Sequence, residues 1–380
     1  MKIAFLSTFA FDANVSLINA LKKENDIYFV TEALYQVYNY LDINELDKLI
    51  SNGSEVKQLN KFKALLPLEK TYVLKGTRNS NIIKKVYNSF KIHTLIRKIN
   101  PDVILLDGHM LTYIISALFF RNKTLLLIHD PFLHSGENFF IDNLFRKFYF
   151  WLVKNKMLLN ESQKNKFIKF YKQNPKKVYS SFLGVYDFLK IHQSNQYKSD
   201  EFNILFFGRI SPYKGIKYLL DAFLMLLSVE KNPHITLTIA GSGSFDFDIK
   251  PYENYPQINI INDFIQPEVL ANMIDKSSLV VCPYTDATQS GVVMSAFAFQ
   301  KPVIATNVGG LPEMVDHGKT GLLVEPKSSE ALFEAILKLY KNQNLLKIFS
   351  ENIENDYIYG RKSWMSSAKN FMNAFKNIKK

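Results

Sequence analysis

The sequence predicts an α/β protein made of two Rossmann-like parallel-sheet domains. Its 380 residues suit two domains of roughly 100–200 residues each. Short apolar runs rich in Ile, Val and Leu recur along the whole chain, separated by longer amphipathic stretches. These runs lack polar alternation, the mark of strands buried on both faces of a parallel sheet. Strand and helix signals alternate in both halves, so a doubly wound arrangement is expected twice.

In the first half the strands fall at 2–9, 27–30, 103–106 and 124–128. In the second they fall at 203–207, 235–240, 258–261, 279–282, 303–305 and 321–324, with helices between them such as 218–230 and 328–341. The polar stretch 193–201 precedes a fresh strand, giving domains 1–195 and 200–358. The tail, 359–380, reads as a last amphipathic helix with Trp364, Phe371 and Phe375 as apolar positions, packing back on the N-terminal domain. Residues 143–177 interleave Lys and Arg with Phe, Tyr, Trp and Leu at helical spacing. They read as two helices, either lying on an anionic membrane or packed on the sheet with snorkelling lysines.

Hydrophobic residues at 47% and charged residues at 22% exclude disorder as the main theme. A single cysteine, Cys282, excludes an internal disulfide and zinc clusters built on cysteine. The net charge of +12 is uneven: residues 1–199 carry 29 basic and 16 acidic side chains, residues 200–380 carry 18 and 19. A polyanionic partner for the first half is one explanation, whether nucleic acid, anionic lipid or a phosphorylated substrate; a well-solvated lysine-rich surface is the other. The longest apolar run, 110–120, is broken by Arg121, Asn122 and Lys123 and falls short of the ~20 residues a span needs. The first residues read as a buried strand rather than a leader, so the expected location is cytoplasmic, with peripheral contact at the inner membrane face as an option.

Two segments carry chemistry. In NILFFGRISPYKGIK, 203–217, a buried strand ends at Gly208, followed by Arg209, and five residues later Lys214-Gly215 opens a helix. Two cations at the carboxyl edge of a parallel sheet, beside a helix N-terminus, suit a diphosphate. Arginine offers a planar fork to phosphate oxygens and lysine a mobile point charge. In 282–310, a strand ends at Pro283, a polar loop carries Asp286, and Gln289-Ser290-Gly291 leads into a buried helix. Its first turn is expected to leave free N–H groups on Ser290, Gly291 and Val292, where glycine allows an anion to come close. Both segments place anion-binding groups at one edge of one sheet.

With GRISPYKG, the AGSGS turn at 240–244, PYTDATQSGVV and FQKPVIATNVGGLPEMVDHGKTGLLVEP, the chain resembles the GT-B fold retaining glycosyltransferases of the GT4 family, glycosyl transferases group 1, in a variant with a Ser-Gly-Val motif. The match covers about residues 203–326; PDVILLDGH at 101–109 and LLLIHDP at 125–131 are looser matches in the first half. The resemblance implies two domains facing a cleft, with a nucleotide-sugar donor, UDP- or GDP-linked, held by the second domain. Arg209 and Lys214 would bind its diphosphate together with Gly208 and the amides at Ser290, Gly291 and Val292. Asp263, Phe264 and Ile265 would border the nucleobase. His129 would face the reacting sugar, with His109 and Asp130 on the acceptor side. The family's two glutamates, eight positions apart, correspond here to Ala287 and Ser295, with Asp286 next to the first as a candidate donor-sugar ligand. Its usual glycine pair after the first strand is absent, since that loop reads Thr8-Phe9-Ala10-Phe11-Asp12.

The implied acceptor is a saccharide or lipid-linked species of surface polysaccharide synthesis. Charge growing on the departing diphosphate would be stabilised by Arg209, Lys214 and helix-end amides, so no metal is called for and no cofactor beyond the donor substrate. His129 suits orienting a sugar hydroxyl better than acting as nucleophile. The Asp246-Phe247-Asp248 triplet spells a metal-binding pattern of other transferases, yet it follows a strand of the second domain where a metal is not expected. His93, His192, His234 and His317 read as surface residues without partners. A nucleotide-sugar epimerase shares the fold and converts donor without acceptor. A nucleic-acid-binding protein explains the charge but not GRISPYKG; no nucleic acid is expected as partner.

Overall fold

The computed structural model describes residues 1–7, 10–33, 41–76, 82–132, 140–193, 201–231 and 234–379, and of 140–142 only the backbone. Residues 8 and 9 of the first expected strand, and 194–200 of the expected boundary, lie outside the described residues. The chain divides into two compact units, Met1–Gly184 with Trp364–Lys380, and Val185–Ser363. The division thus falls at Gly184 rather than near 195. The turn Asp187–His192 belongs to the second unit because Tyr186 donates its N–H to Met294 O, and His192 Nδ1 lies 3.4 Å from Glu268.

The first unit runs β1 (Lys2–Ser7), α1 (Phe11–Leu21), β2 (Asp26–Ala33), β3 (Ile50–Asn52), β4 (Thr71–Lys75), α2 (Ile82–Ile99), β5 (Val103–Asp107), α3 (Ile114–Phe119), β6 (Thr124–Ile128), α4 (Phe140–Leu152), β7 (Asn155–Leu158), α5 (Lys164–Phe170) and β8 (Val178–Ser180). Its eight-stranded sheet has the order β3-β4-β2-β1-β5-β6-β7-β8 and is parallel except where β3 meets β4. From β1 the chain winds first to one side and then to the other, so the order reverses between β1 and β5, where Ser7 pairs with Asp107. Strands β1, β5 and β6 are almost entirely buried, as their unbroken apolar runs require. Four strands, β3, β4, β7 and β8, were not expected; β7 interrupts the stretch read as two consecutive helices.

The second unit runs β9 (Phe202–Phe207), α6 (Ile216–Val229), β10 (Ile235–Gly241), α7 (Lys250–Glu253), β11 (Ile258–Asn262), α8 (Pro267–Lys276), β12 (Leu279–Cys282), α9 (Gly291–Ala298), β13 (Val303–Thr306), α10 (Leu311–Met314), β14 (Gly321–Val324), α11 (Ser329–Lys341) and α12 (Gln343–Ile353). All six strands are parallel, in the order β11-β10-β9-β12-β13-β14. Here the order reverses between β9 and β12. These two share only the pairs Leu279↔Ile204 and Val280↔Leu205, whereas β9 and β10 are paired over six residues. Helix α11 is capped by Ser328, whose Oγ accepts the Ala331 N–H at 3.0 Å, and it buries Leu332, Ala335, Ile336 and Leu339 at helical spacing.

The last helix, α13 (Trp364–Lys379), belongs to the first unit, where it packs along α1 and β5–β8 through Trp364, Ala368, Phe371 and Phe375. Ser367 Oγ lies 2.7 Å from Ser181 Oγ and donates to Phe182 O, and Lys379 reaches Asp102 at 3.0 Å. Gly184 makes this docking possible, since a Cβ there would sit 2.6 Å from the Trp364 ring. Gly184→Val is expected to cost roughly 2 kcal/mol by overpacking against a rigid ring, lowering Tm by roughly 4–8 °C in a thermal melt.

Candidate active site

The carboxyl ends of β9–β13 build one face of the second unit. At β9, Gly208 sits at φ 120°, and its N–H donates to Ala240 O at 2.9 Å. Ile210 N–H donates to Ser242 O and Ser244 N–H returns to Ile210 O, so the AGSGS turn is laced to the Gly208–Arg209 turn. Asn262, ending β11, holds both polar groups of Gly243 at 3.2 Å. Behind it, Asp263 and Phe264 are exposed and Ile265 is half-buried. The loops after β9 and β12 also meet. Thr285 N–H donates to Tyr213 O at 2.8 Å, and Gly215, left-handed at φ 63°, lies so close to Pro283 O that a Cβ would stand 2.0 Å away. Because β9 and β12 part early, the space between their ends is the topological switch point where doubly wound sheets bind ligands.

Arg209 is exposed at this edge, while Lys214 is half-buried between aromatic rings, its Nζ 3.7 Å from the Tyr284 centroid and 5.0 Å from that of Tyr213. No carboxylate pairs with Lys214 among the described residues. Burial, helped by repulsion from Arg209, pulls its pKa from 10.5 down to about 8. The adjacent Cys282 thiol is buried and pushed up to about 11, so it supplies no compensating negative charge at neutral pH. A desolvated ammonium beside an arginine, with no anion of its own, is a site waiting for one.

Helix α9 completes this edge, with a correction. Gly291 and Val292 direct first-turn N–H groups that meet no acceptor among the described residues, as expected. Ser290, however, is the N-cap and its N–H is taken by Met314 Sδ at 3.3 Å, while its Oγ accepts the Val293 N–H. Met314 is itself held by Tyr357 Oη, which donates to Met314 O at 2.7 Å from the π-helical turn Glu354–Ile358. Asp286 is half-buried in the loop before α9, Ala287 is buried, and Ser295 lies buried inside the helix. Gly309, at φ 52°, packs its Cα on Ala287 O, closing the loop after β13 over the loop after β12.

In the first unit the carboxyl edge gathers a different set. His129 follows β6, and its Nε2 lies 3.0 Å from Asp107 Oδ1, although the N–H is not aligned for a linear hydrogen bond. The other oxygen of Asp107 accepts Ser7 Oγ at 3.0 Å and Asn14 Nδ2 at 2.6 Å. Asp12 stands in the first turn of α1, where Ala13 donates its N–H to it, and burial raises its pKa. Burial alone would lower the pKa of His129; the nearby carboxylates of Asp107, Asp130 and Asp12 together outweigh it and raise it above 6.5. The His109 ring lies 6.5 Å from that of Tyr149, and Asp130 is exposed with its carbonyl bonded to Arg146. Asp107, Asn14 and Asp12 were not expected here. The DGH of 107–109 was a visible hint, but Ser7 and Asn14 reach Asp107 only through the β1–β5 register.

Of the other histidines, His134 lies outside the described residues, and those expected to lack partners do have them. His93 packs against Phe119 and Phe120 at 4.9 and 5.4 Å, His192 faces Glu268, and His317 Nδ1 accepts the Leu323 N–H. His234 is exposed.

Residues 201–342 match the family model for glycosyl transferases group 1. The chain is similar to two uncharacterized glycosyltransferases of Methanocaldococcus jannaschii, 28% identical over 186 residues and 29% over 240. These matches cover 47% and 61% of this chain and only 46% and 64% of those proteins. It is also 26% identical over 244 residues to a capsular polysaccharide biosynthesis glycosyltransferase of Staphylococcus aureus, covering 59% and 63% of the two chains. Among solved structures, Anabaena HepE in complex with UDP superposes with TM-score 0.69 at 15% identity, covering 99% of this chain and 100% of that one. A putative UDP-N-acetylglucosamine 2-epimerase of Listeria monocytogenes superposes with TM-score 0.62 at 16% identity, covering 99% and 96%. At such identities the structural likeness speaks to fold alone. Residues 201–342 thus carry the glycosyl transferases group 1 pattern, and the chain as a whole has the GT-B fold.

Lys214→Met removes a desolvated charge and keeps the side-chain volume. It is expected to stabilise the ligand-free protein by roughly 1–3 kcal/mol, read as a higher Tm, and to abolish any stabilisation by added diphosphate.

Proposed function

We propose that this protein transfers a sugar from a nucleotide-sugar to an acceptor in cell-surface polysaccharide synthesis. The observation that supports this most is the unpaired Lys214 beside Arg209 and the free Gly291 and Val292 amides, all at the switch point of the second sheet. When the bond to the anomeric carbon breaks, negative charge grows on the outer phosphate of the leaving nucleoside diphosphate. Cations and fixed N–H dipoles already in position stabilise that charge without reorganising, and no metal enters the step. Asp263, Phe264 and Ile265 are assigned to the base, Asp286 and Ser295 to the donor sugar and ribose, and the first unit to the acceptor. The product keeps the anomeric configuration if the acceptor attacks the face the diphosphate leaves, and no protein nucleophile is needed.

Epimerases share this fold, and they are the second reading. A thermal-shift panel of UDP, GDP and their sugars tests the first. One nucleotide should raise Tm; at about 100 times Kd the stabilisation is about 2.7 kcal/mol. Arg209→Ala should weaken binding roughly tenfold or more, as expected for a charge-assisted phosphate contact. EDTA should have no effect. Isomerisation of a nucleotide-sugar without any acceptor would instead favour the epimerase. The pH dependence has a definite sign. Since Lys214 loses its proton near pH 8 in the free protein, binding above that pH must take a proton up, and affinity should fall as pH rises from about 8 toward 10.5.

A lipid-linked acceptor would bring the enzyme to an anionic bilayer, and α4 supports that position. Leu144, Phe148 and Trp151, at i, i+4 and i+7, are 60%, 37% and 72% exposed, with Lys147 exposed beside them and Lys154 exposed just past the helix end. The opposite side buries Tyr149, Phe150 and Leu152. Tryptophan among lysines on a solvent-facing stripe suits the headgroup layer. Among the described residues no helix is long and apolar enough to cross a membrane. The protein should sediment with phosphatidylglycerol vesicles and not with phosphatidylcholine ones, and Phe148→Ala with Trp151→Ala should reduce binding roughly tenfold. Equal sedimentation of wild type and variant would remove α4 from the contact.

A further inference from the structure

The carboxylate cluster around His129 has no counterpart in the chemistry assigned so far. Three acidic side chains converge on one imidazole: Asp107 at the end of β5, Asp130 next to His129 in the loop after β6, and Asp12 in the first turn of α1. Arg146 of α4 donates from its guanidinium to the Asp130 carbonyl. Asp107 is fixed. It is 1% exposed, Ser7 and Asn14 both donate to one of its oxygens, and Asn14 also bonds Ser7. Among the described residues its second oxygen has no donor other than the imidazole 3.0 Å away. A carboxylate so placed needs a positive neighbour, because a buried anion with an unfilled oxygen is costly.

The protonation state decides what His129 can do. Nε2 faces Asp107, so a neutral ring would turn a bare Nδ1 lone pair outward and act as a proton acceptor. A protonated ring instead presents Nδ1–H, a donor that binds oxygen and cannot take a proton. We propose that Asp107 is a positioning residue that holds His129 as an imidazolium, so that His129 offers its Nδ1–H to an oxygen of the substrate and does not serve as a general base. Asp12 and Asp130 assist by their charge. The identity of the oxygen rests on the glycosyl-transfer reading above; the state of His129 does not.

The test needs no substrate. The Cε1–H resonances of the seven histidines are followed by NMR titration of the full chain, with His129 assigned by His129→Gln. His129 should titrate above the ordinary 6.5, and Asp107→Asn should lower its midpoint by about 1 pH unit or more, the effect of removing a close opposite charge. Asp107→Glu should restore much of the shift. Since Asp107 is buried, Asp12→Asn, at a half-buried position, provides an independent arm and should lower the midpoint by a smaller amount. A wild-type midpoint below 6.5, or one that Asp107→Asn and Asp12→Asn both leave in place, overturns the proposal. If the midpoint behaves as stated while no nucleotide-sugar binds, the imidazolium stands and the transfer reading fails.

Discussion

Parallel strands end together at one edge of a sheet, and the loops that leave them must do the chemistry. In both units the winding reverses at a central strand, so the crossovers on its two sides go to opposite faces of the sheet and leave an opening at the strand ends. In the second unit this opening lies between β9 and β12, whose pairing stops after two residues; in the first it lies between β1 and β5, spanned by the Ser7–Asp107 bond. Everything described at the two edges depends on that reversal. Arg209, Lys214 and the amides of α9 are neighbours because their strands are adjacent where the chain changes direction, although more than seventy residues separate Lys214 from Val292 in sequence.

The two edges are electrostatic opposites. The second unit collects cations and N–H dipoles, and it holds Lys214 partly out of water, without a carboxylate partner among the described residues, at a cost that a phosphate would relieve. The first unit gathers carboxylates around one imidazole. The overall charge runs the other way, for the basic excess belongs to residues 1–199. That excess is therefore not a property of the strand-end cluster. Part of it lies on outer surfaces such as the exposed lysines of α4 and α5, where it serves attraction and solubility rather than chemistry.

How much of this could be read in the sequence follows from where each element sits. All six strands of the second sheet were legible, because central parallel strands are buried on both faces and show as unbroken apolar runs. In the first sheet β3 and β8 are three residues long at the two edges, and β7 carries Asn155 and Lys156 in place of apolar residues, so no run announces them. Arg209, Lys214 and the α9 amides are local to motifs and could be found by pattern. Asp107 and Asn14 could not, since their meeting depends on the register of β1 against β5. Nor could the use of the Ser290 N–H by Met314, a contact between two loops brought together by Gly309 and Gly310.

The central claim is that one edge of the six-stranded sheet binds a nucleoside diphosphate. Hydrogen exchange followed by mass spectrometry, with and without UDP or GDP at saturation, tests it most directly. Protection should concentrate in peptides covering 208–215, 241–245 and 283–293, the loops that carry Arg209, Lys214 and the α9 amides. Protection confined to the opposite ends of the same strands, or to the first unit alone, would contradict the account.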